Sequence, residues 1–242
     1  MTNIVKKFLP VLFALVLVLS FSLVTTVPVA AAGEVWVDDD FTSETPGWDV
    51  TYFDTIQEGI DAVDPGGTVN VAAGTYTENV EVDRQLTLTG DPSQPGNVIV
   101  NAVGGSGNAI TLAVDDCVLR GFKAQNSIYG IYLDGSSGNT LTNNIASSNI
   151  RDGIYLDRSN NNTLTGNTVS GNNRYGINLD TSNSNTLTGN IVTGNNIGIQ
   201  IQPSVDASTI SINFNNIYDN TNYGVDNAST ASVDASKQLV GG

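Results

Sequence analysis

A repeat of 23 residues decides what this chain can fold into. Ile128-Tyr-Gly-Ile-Tyr-Leu-Asp134 returns as Arg151-Asp-Gly-Ile-Tyr-Leu-Asp157 and again as Arg174-Tyr-Gly-Ile-Asn-Leu-Asp180, so that Gly130, Gly153 and Gly176 are evenly spaced. Each unit then carries Asn-Thr-Leu-Thr, at Asn139–Thr142, Asn162–Thr165 and Asn185–Thr188. A looser copy runs from Gly198-Ile199 to Asn215-Asn216-Ile217, and Gly224-Val225 begins a partial one. A period of this length specifies a quasi-linear array in which each unit packs on its neighbours.

The unit is too rich in Asn, Gly, Thr and Ser for a helical solenoid, and it has too few leucines for a leucine-rich repeat. Its apolar residues come in period-2 pairs between polar turns, as in Ile154/Leu156. That pattern predicts an all-β, single-stranded parallel β-helix of about 23 residues per coil over 68–242. Coils would pair at about 4.8 Å. Ile131, Ile154, Ile177 and Ile199 would stack inside, as would Leu133, Leu156, Leu179 and Ile201. Asn144, Asn167, Asn190 and Asn215 would form an amide ladder at a bend.

Residues 33–67 read as a cap: a short strand at Val35–Val37, a turn at Asp38–Asp40, then an amphipathic helix. Asp54 and Gln57 resemble a capping box, Ile56, Ile60 and Val63 share one face, and Asp64-Pro-Gly-Gly67 is the stop. Short strands follow around Val69/Val71, Val80/Val82, Leu86/Leu88, Val98/Val100 and Ile110/Leu112. Such a helix would close the first coil, as the end of a stack requires. Tyr76 and Glu78 follow the first coil's strand and are placed to fix the cap.

Residues 1–32 carry Lys6 and Lys7, an apolar stretch from Phe8 to about Val24, Pro28, and Ala30-Ala31-Ala32. This three-part order predicts a secretory signal cleaved after Ala32. The stretch is also close to the length of a membrane anchor. A secreted, periplasmic or cell-surface location follows, with no membrane segment after cleavage.

Composition removes whole classes of chemistry. There is no histidine, so His-based triads and His-ligated metals are excluded. One cysteine excludes an intrachain disulfide and a thiolate cluster. Cys117 aligns to point inward, where a thiol with no base beside it is inert. The formal net charge of −15 repels nucleic acid and anionic lipid.

Val37-Asp-Asp-Asp-Phe41, Phe53-Asp-Thr-Ile-Gln-Glu-Gly-Ile-Asp-Ala62, Gly74-Thr-Tyr-Thr-Glu-Asn79 and the Gly-Ile-Tyr-Leu…Asn-Thr-Leu-Thr-Gly-Asn units resemble right-handed parallel β-helix proteins. The likeness is to the NosD-type and carbohydrate-binding/sugar-hydrolysis repeat group of the pectate-lyase-like superfamily. The resemblance implies fold far more than activity, because the superfamily includes lyases, glycosidases, esterases, epimerases and non-catalytic surface proteins. The histidine motif of its polygalacturonases and the Asp-Pro-His-Glu motif of its alginate epimerases are absent. NosD is linked to copper, but this chain lacks histidine and has only Met1 as a methionine, which argues against copper. Lyases of the group use Asp-held calcium and an Arg or Lys base. Those residue types are present, with no motif to place them.

Strand alternation sets the outward rows. Tyr132, Tyr155 and Asn178 form one. Asp134, Asp157 and Asp180 form a second, continuing to Gln202. Arg151 and Arg174 lie just before the glycine. Carboxylates about 4.8 Å apart repel one another unless a cation or an arginine sits among them, so calcium is a candidate at Asp134, Asp157 and Asp180. Tyrosine faces suit sugar rings, and arginines suit uronate carboxylates. These rows outline a groove for a polysaccharide or cell-surface glycan, against the alternative of a merely solvated strand face. Arg151 and Arg174 are the candidate catalytic bases if the chain is a calcium-dependent polysaccharide lyase. A structural or adhesive surface repeat is the third reading. Val233–Gly242 shows no second cap, so the expectation is either an open last coil that invites end-to-end self-association or an incomplete C-terminal end.

Overall fold

The computed structural model describes residues 32–91, 93–230 and 239–240. The signal expected over 1–32 lies outside the described residues except for Ala32, as does most of 233–242.

From residue 63 onward the chain winds as a parallel solenoid of about seven turns. Each full coil contributes one short strand to each of three sheets, and every pairing is parallel. The coil after Gly153 shows the plan: Ile154–Asp157, Thr163–Thr165 and Thr168–Ser170. Alternating apolar residues make each strand, and Asn, Gly or Ser turns end it after three to six residues. The first strand belongs to a seven-stranded face, the second to a nine-stranded face and the third to an eight-stranded face.

Register is in phase from coil to coil. Ile131, Ile154, Ile177 and Ile199 pair in one column, and Leu133, Leu156, Leu179 and Ile201 in the next, all fully buried. Leu141, Leu164 and Leu187 fill the interior behind the nine-stranded face. Each such leucine side chain is worth roughly 2 kcal/mol of apolar burial.

The expected asparagine ladder is present. Nδ2 of Asn144, Asn167 and Asn190 donates to Oδ1 of the next copy at 3.1, 3.0 and 2.9 Å. A second ladder, absent from the sequence reading, runs through Asn149, Asn172, Asn195 and Asn220 at the bend before the seven-stranded face. The third bend is held by Ser136, Ser159 and Ser182 and by Asn139, Asn162 and Asn185. The second ladder explains the glycine of each repeat. A Cβ on Gly130, Gly153 or Gly176 would lie 2.6, 2.6 or 2.9 Å from the Nδ2 of Asn149, Asn172 or Asn195. The ladders end where their asparagine is replaced: Cys117, Phe122 and Ser127 each present a backbone N–H to Oδ1 of Asn139, Asn144 and Asn149. Cys117 is buried, as its alignment suggests. Beside it, Asn139 Nδ2 is buried without a hydrogen-bond partner.

The cap is a strand, Ala32–Val37, and one helix, α1, Ile56–Ala62. Ile56 and Ile60 are buried against the first coil. The helix start differs from the sequence reading by one residue. Thr55, not Asp54, is the N-cap, and its hydroxyl accepts from Glu58 N at 3.3 Å. The cause is tertiary. Glu78 reaches over from the first coil, and its carboxylate accepts from Ile56 N at 2.9 Å and Gln57 N at 3.0 Å. Gln57 turns its own side chain toward Glu81. The stop also differs. α1 ends at Ala62, and Asp64-Pro-Gly-Gly67 lies inside the strand Val63–Val71, whose pairing with Ala32–Val37 shifts register between Ala32 and Glu34. Val63, expected on the helix face, is the extended C-cap and is still buried. At Asp38–Asp40 the chain turns, with Phe41 N bonded to Asp38 O at 3.0 Å.

Candidate functional site

The outward side of the seven-stranded face carries a patch of tyrosine, arginine and carboxylate. Parallel pairing in register aligns Tyr132 with Tyr155, Asn178 and Gln200, and Asp134 with Asp157 and Asp180. The predicted rows are in register, but Asn178, expected to face outward, is buried together with Gln200, so of the first row only Tyr132 and Tyr155 reach the surface. Gln202 continues the second row, with its N–H donating to Leu179 O at 3.0 Å and its Nε2 to Asn178 Oδ1 at 3.2 Å.

Three tyrosines cluster. Ring centroids are 5.3 Å apart for Tyr132 and Tyr155, 5.6 Å for Tyr129 and Tyr132, and 5.0 Å for Tyr129 and Tyr155. All three rings are half-buried, which leaves part of each face or edge to solvent. The guanidinium of Arg151 stands 5.1 Å from the Tyr129 ring centre, and that of Arg174 stands 4.2 Å from the Tyr175 ring centre. Such contacts are worth about 0.5–1 kcal/mol near a surface and hold an arginine flat. Both arginines thus lie over tyrosines rather than projecting freely.

The carboxylates are engaged. Arg158 Nη2 bonds Asp134 and Asp157, each at 3.0 Å. Tyr132 donates to Asp157 at 3.1 Å, and Tyr155 donates to Asp180 at 3.4 Å. Ser204 and Thr181 also donate to Asp180. Arg158 supplies the positive charge that a carboxylate row needs. Its own pKa is raised by the Asp157 hydrogen bond and by the two carboxylates. Among the described residues no group of three or more His, Cys, Asp or Glu side chains converges as a metal site would.

Asp152 is the feature that sequence reasoning missed. It is fully buried beneath the outer patch, in the same column as Tyr129 and Tyr175. Its carboxylate accepts from Asn178 Nδ2 at 3.0 Å and from Tyr175 N at 3.3 Å. Burial pushes its pKa up, against the pull of Asn178, Arg174, Tyr175 N and Arg151. Burial pulls Arg174 down, but the Tyr175 hydroxyl and Asp152 outweigh it and keep it charged. Burial, with Asp157 and either Asp134 or Asp180 adding to it, also pushes the Tyr132 and Tyr155 hydroxyls well above the usual tyrosine range. They are hydrogen-bond donors at neutral pH, not bases. Tyr129 is raised by burial as well.

Tyr129, Asp152 and Tyr175 occupy the position before the repeat glycine. Tyr129 and Tyr175 open their strands and Asp152 lies just before its own, and the rows read from the sequence begin after the glycine. Arg158 had a legible signal: the equivalent positions are Gly135 and Thr181, so it is a departure from the repeat.

Residues 63–234 match a family described as periplasmic copper-binding protein (NosD). A cell surface glycoprotein of Methanothermus fervidus is 36% identical over 94 residues. That match covers 38% of this chain and 15% of the relative, so the chain spans only a small part of that protein's length. The periplasmic alginate epimerase AlgG superposes with a TM-score of 0.53 at 19% identity, over 76% of this chain and 52% of that one. An alginate lyase from Paenibacillus sp. FPU-7 gives 0.53 at 12% identity, over 76% of this chain and 92% of that one. A pectin methylesterase from Aspergillus niger gives 0.52 at 12% identity, over 88% of this chain and 91% of that one. At these identities the likeness to the solved structures is one of fold.

Copper does not fit the donors present. The chain has no histidine, and its single cysteine is buried, with burial raising the thiol pKa. Soft or imidazole ligands are what copper selects. No step through copper follows from these residues.

Proposed function

The chain belongs to the NosD family, and from that footing we propose that it is an exported, cell-surface β-helix protein that binds carbohydrate through its seven-stranded face, without strong catalysis. The observation that carries this reading is the cluster of Tyr129, Tyr132 and Tyr155 flanked by Arg151 and Arg174. Aromatic faces stack on the apolar side of a sugar ring. Guanidiniums that stay charged supply donors to ring oxygens and uronate carboxylates. Export is supported by the predicted signal and by the surface location in the relative's name. The binding emphasis is supported by the state of the acids. The carboxyl of this face whose pKa is raised, Asp152, is wholly covered, and Asp134 and Asp157 are bound to Arg158.

Calcium belongs to the same proposal only where a uronate brings further oxygens. At Asp134 and Asp157 it would have to displace Arg158. A calcium-dependent uronate lyase is a second reading, favoured by the two arginines on this face, with Arg151 or Arg174 as base. The test is one experiment with two readouts. The chain from Gly33 is mixed with uronate and neutral polysaccharides, with and without calcium, and both retardation in glycan-loaded gels and ultraviolet absorbance are followed. Binding with a flat absorbance trace is expected. A calcium-dependent rise in absorbance, lost in Arg151→Ala or Arg174→Ala, would replace this reading by the lyase. No retardation, with end-to-end assembly of the chain, would make it a structural surface repeat.

A further inference from the structure

Two Asn-x-Ser/Thr triplets occur in the chain, Asn161-Asn162-Thr163 and Asn227-Ala228-Ser229. In an exported protein that triplet is the acceptor for N-linked sugar, provided its asparagine reaches the surface. The fold separates the two. Asn161 lies in the turn between the strands Ile154–Asp157 and Thr163–Thr165. It is exposed, and it has the left-handed φ of 57° that asparagine tolerates in a turn. Its backbone N–H is spent on Asn183 O at 3.1 Å, which fixes the turn without using the side-chain amide.

The neighbouring asparagines are committed to the ladders. Asn162, beside it, is buried. Its Nδ2 donates to Ser136 O at 3.1 Å, and its Oδ1 accepts from Asn139 N at 2.8 Å. Sugar on such an amide would break a ladder, whereas sugar on Asn161 would not. The equivalent positions in the adjacent coils are Gly138 and Ser184, so no structural ladder requires asparagine at 161. Thr163 is half-buried on the outward side, with its backbone rather than its hydroxyl committed to Asn139 O. Asn227 is different. It ends the strand Tyr223–Asn227, and its Oδ1 accepts from Ser229 N at 3.1 Å.

We propose that Asn161 is an N-glycosylation site. Asn161 Nδ2 attacks the anomeric carbon of an oligosaccharide carried on a lipid phosphate, the co-reactant supplied by the exporting cell with its transferase. The N–C bond forms as the C–O bond to phosphate breaks, the phosphate leaves with the bonding pair, and the amide proton goes to a base of the transferase. This rests on the export part of the functional reading, but not on glycan binding.

The test is peptide mass mapping of the full chain, produced in a host that N-glycosylates exported proteins, with cell-surface protease accessibility measured on the same cells. An oligosaccharide mass on the Asn161 peptide is expected. It should be lost in Asn161→Gln and Thr163→Ala and kept in Thr163→Ser and Asn227→Gln. Asn161→Asp, which keeps a residue that tolerates the left-handed φ, should also lose the mass and leave the melting temperature of the chain unchanged. A surface-accessible chain bare at Asn161, or modified only at Asn227, overturns the inference and leaves export standing. A chain held inside the cell and bare overturns both.

Discussion

The nine-stranded and seven-stranded faces are made by the same coils and differ in what they present to solvent. On the first, Thr140/Thr142, Thr163/Thr165 and Thr186/Thr188 repeat almost unchanged, each pair flanking a buried leucine. On the second, the matching column runs Tyr132, Tyr155, Asn178, Gln200, of which the two tyrosines reach solvent and the two amides are buried, and it adjoins two arginines and a buried carboxylate. The inward columns are equally regular on both. The scaffold is therefore held constant by stacking and ladder bonds, and the chemistry is confined to one outward strip over about three coils. A uniform face reports what the fold needs. A varying face reports what the fold leaves free.

The largest expected effects should not distinguish the faces. Leu156→Ala and Leu164→Ala remove fully buried side chains from the same coil, one behind each face. Each should cost about 2–5 kcal/mol in chemical denaturation, and the two should agree to within about 1 kcal/mol by that same range. Asn167→Ala should cost roughly 3 kcal/mol, because two Asn144 donors lose their acceptor while Leu141 O and Asn190 Oδ1 each lose a donor. A large disparity between the leucines would show that the faces do not share one core.

Much of this was readable in the sequence. Period-2 apolar pairs recurring every 23 residues fixed the coil, both inward columns and one ladder, because stacking demands the same residue in each copy. What escaped was set by contacts between coils or between cap and coil. Glu78 moved the helix start by one residue, since two N–H groups held by a carboxylate outweigh a local capping pattern. The second ladder, at Asn149, Asn172 and Asn195, keeps the 23-residue spacing but lies in polar runs such as Asn172-Asn173 that read as turn residues. Asp152 hid because burial of an outward residue depends on its column neighbours, Tyr129 and Tyr175, which come from other repeats.

Effects of intermediate size should fall on the seven-stranded face alone. Arg151→Ala and Arg174→Ala should each lower affinity for a uronate polysaccharide about fivefold, from loss of one charge-assisted contact of about 1 kcal/mol. The loss should shrink as salt rises, and isotherms at two ionic strengths would test it. Equal loss for neutral glycans would remove the carboxylate from the proposal.

The pH response separates the faces more subtly. Asp152 has a raised folded pKa, so the stability it contributes is fully present below the ordinary carboxyl value of about 4 and is lost as pH rises through its folded value. Glu78 acts in the same direction in either protein. Asp152→Asn should therefore lose less stability than the parent between about pH 4 and neutrality, seen as a flatter melting temperature against pH. An unchanged profile would mean that Asp152 is solvated.

The smallest effect is expected from Arg158→Ala. The guanidinium is exposed, so melting should barely change, since screened surface pairs contribute little. Calcium affinity at Asp134 and Asp157 is the quantity to follow, and it should rise if Arg158 is the group that keeps a cation away.

The decisive measurement sets one face against the other. Isotherms for one glycan that the parent binds are recorded with Tyr132→Ala/Tyr155→Ala and with Thr163→Ala/Thr165→Ala. Loss of at least tenfold in affinity for the tyrosine pair, with the threonine pair unchanged and both proteins folded, is expected. Equal affinity for the tyrosine pair and the parent, or an equal loss in both variants, would contradict a binding strip on the seven-stranded face.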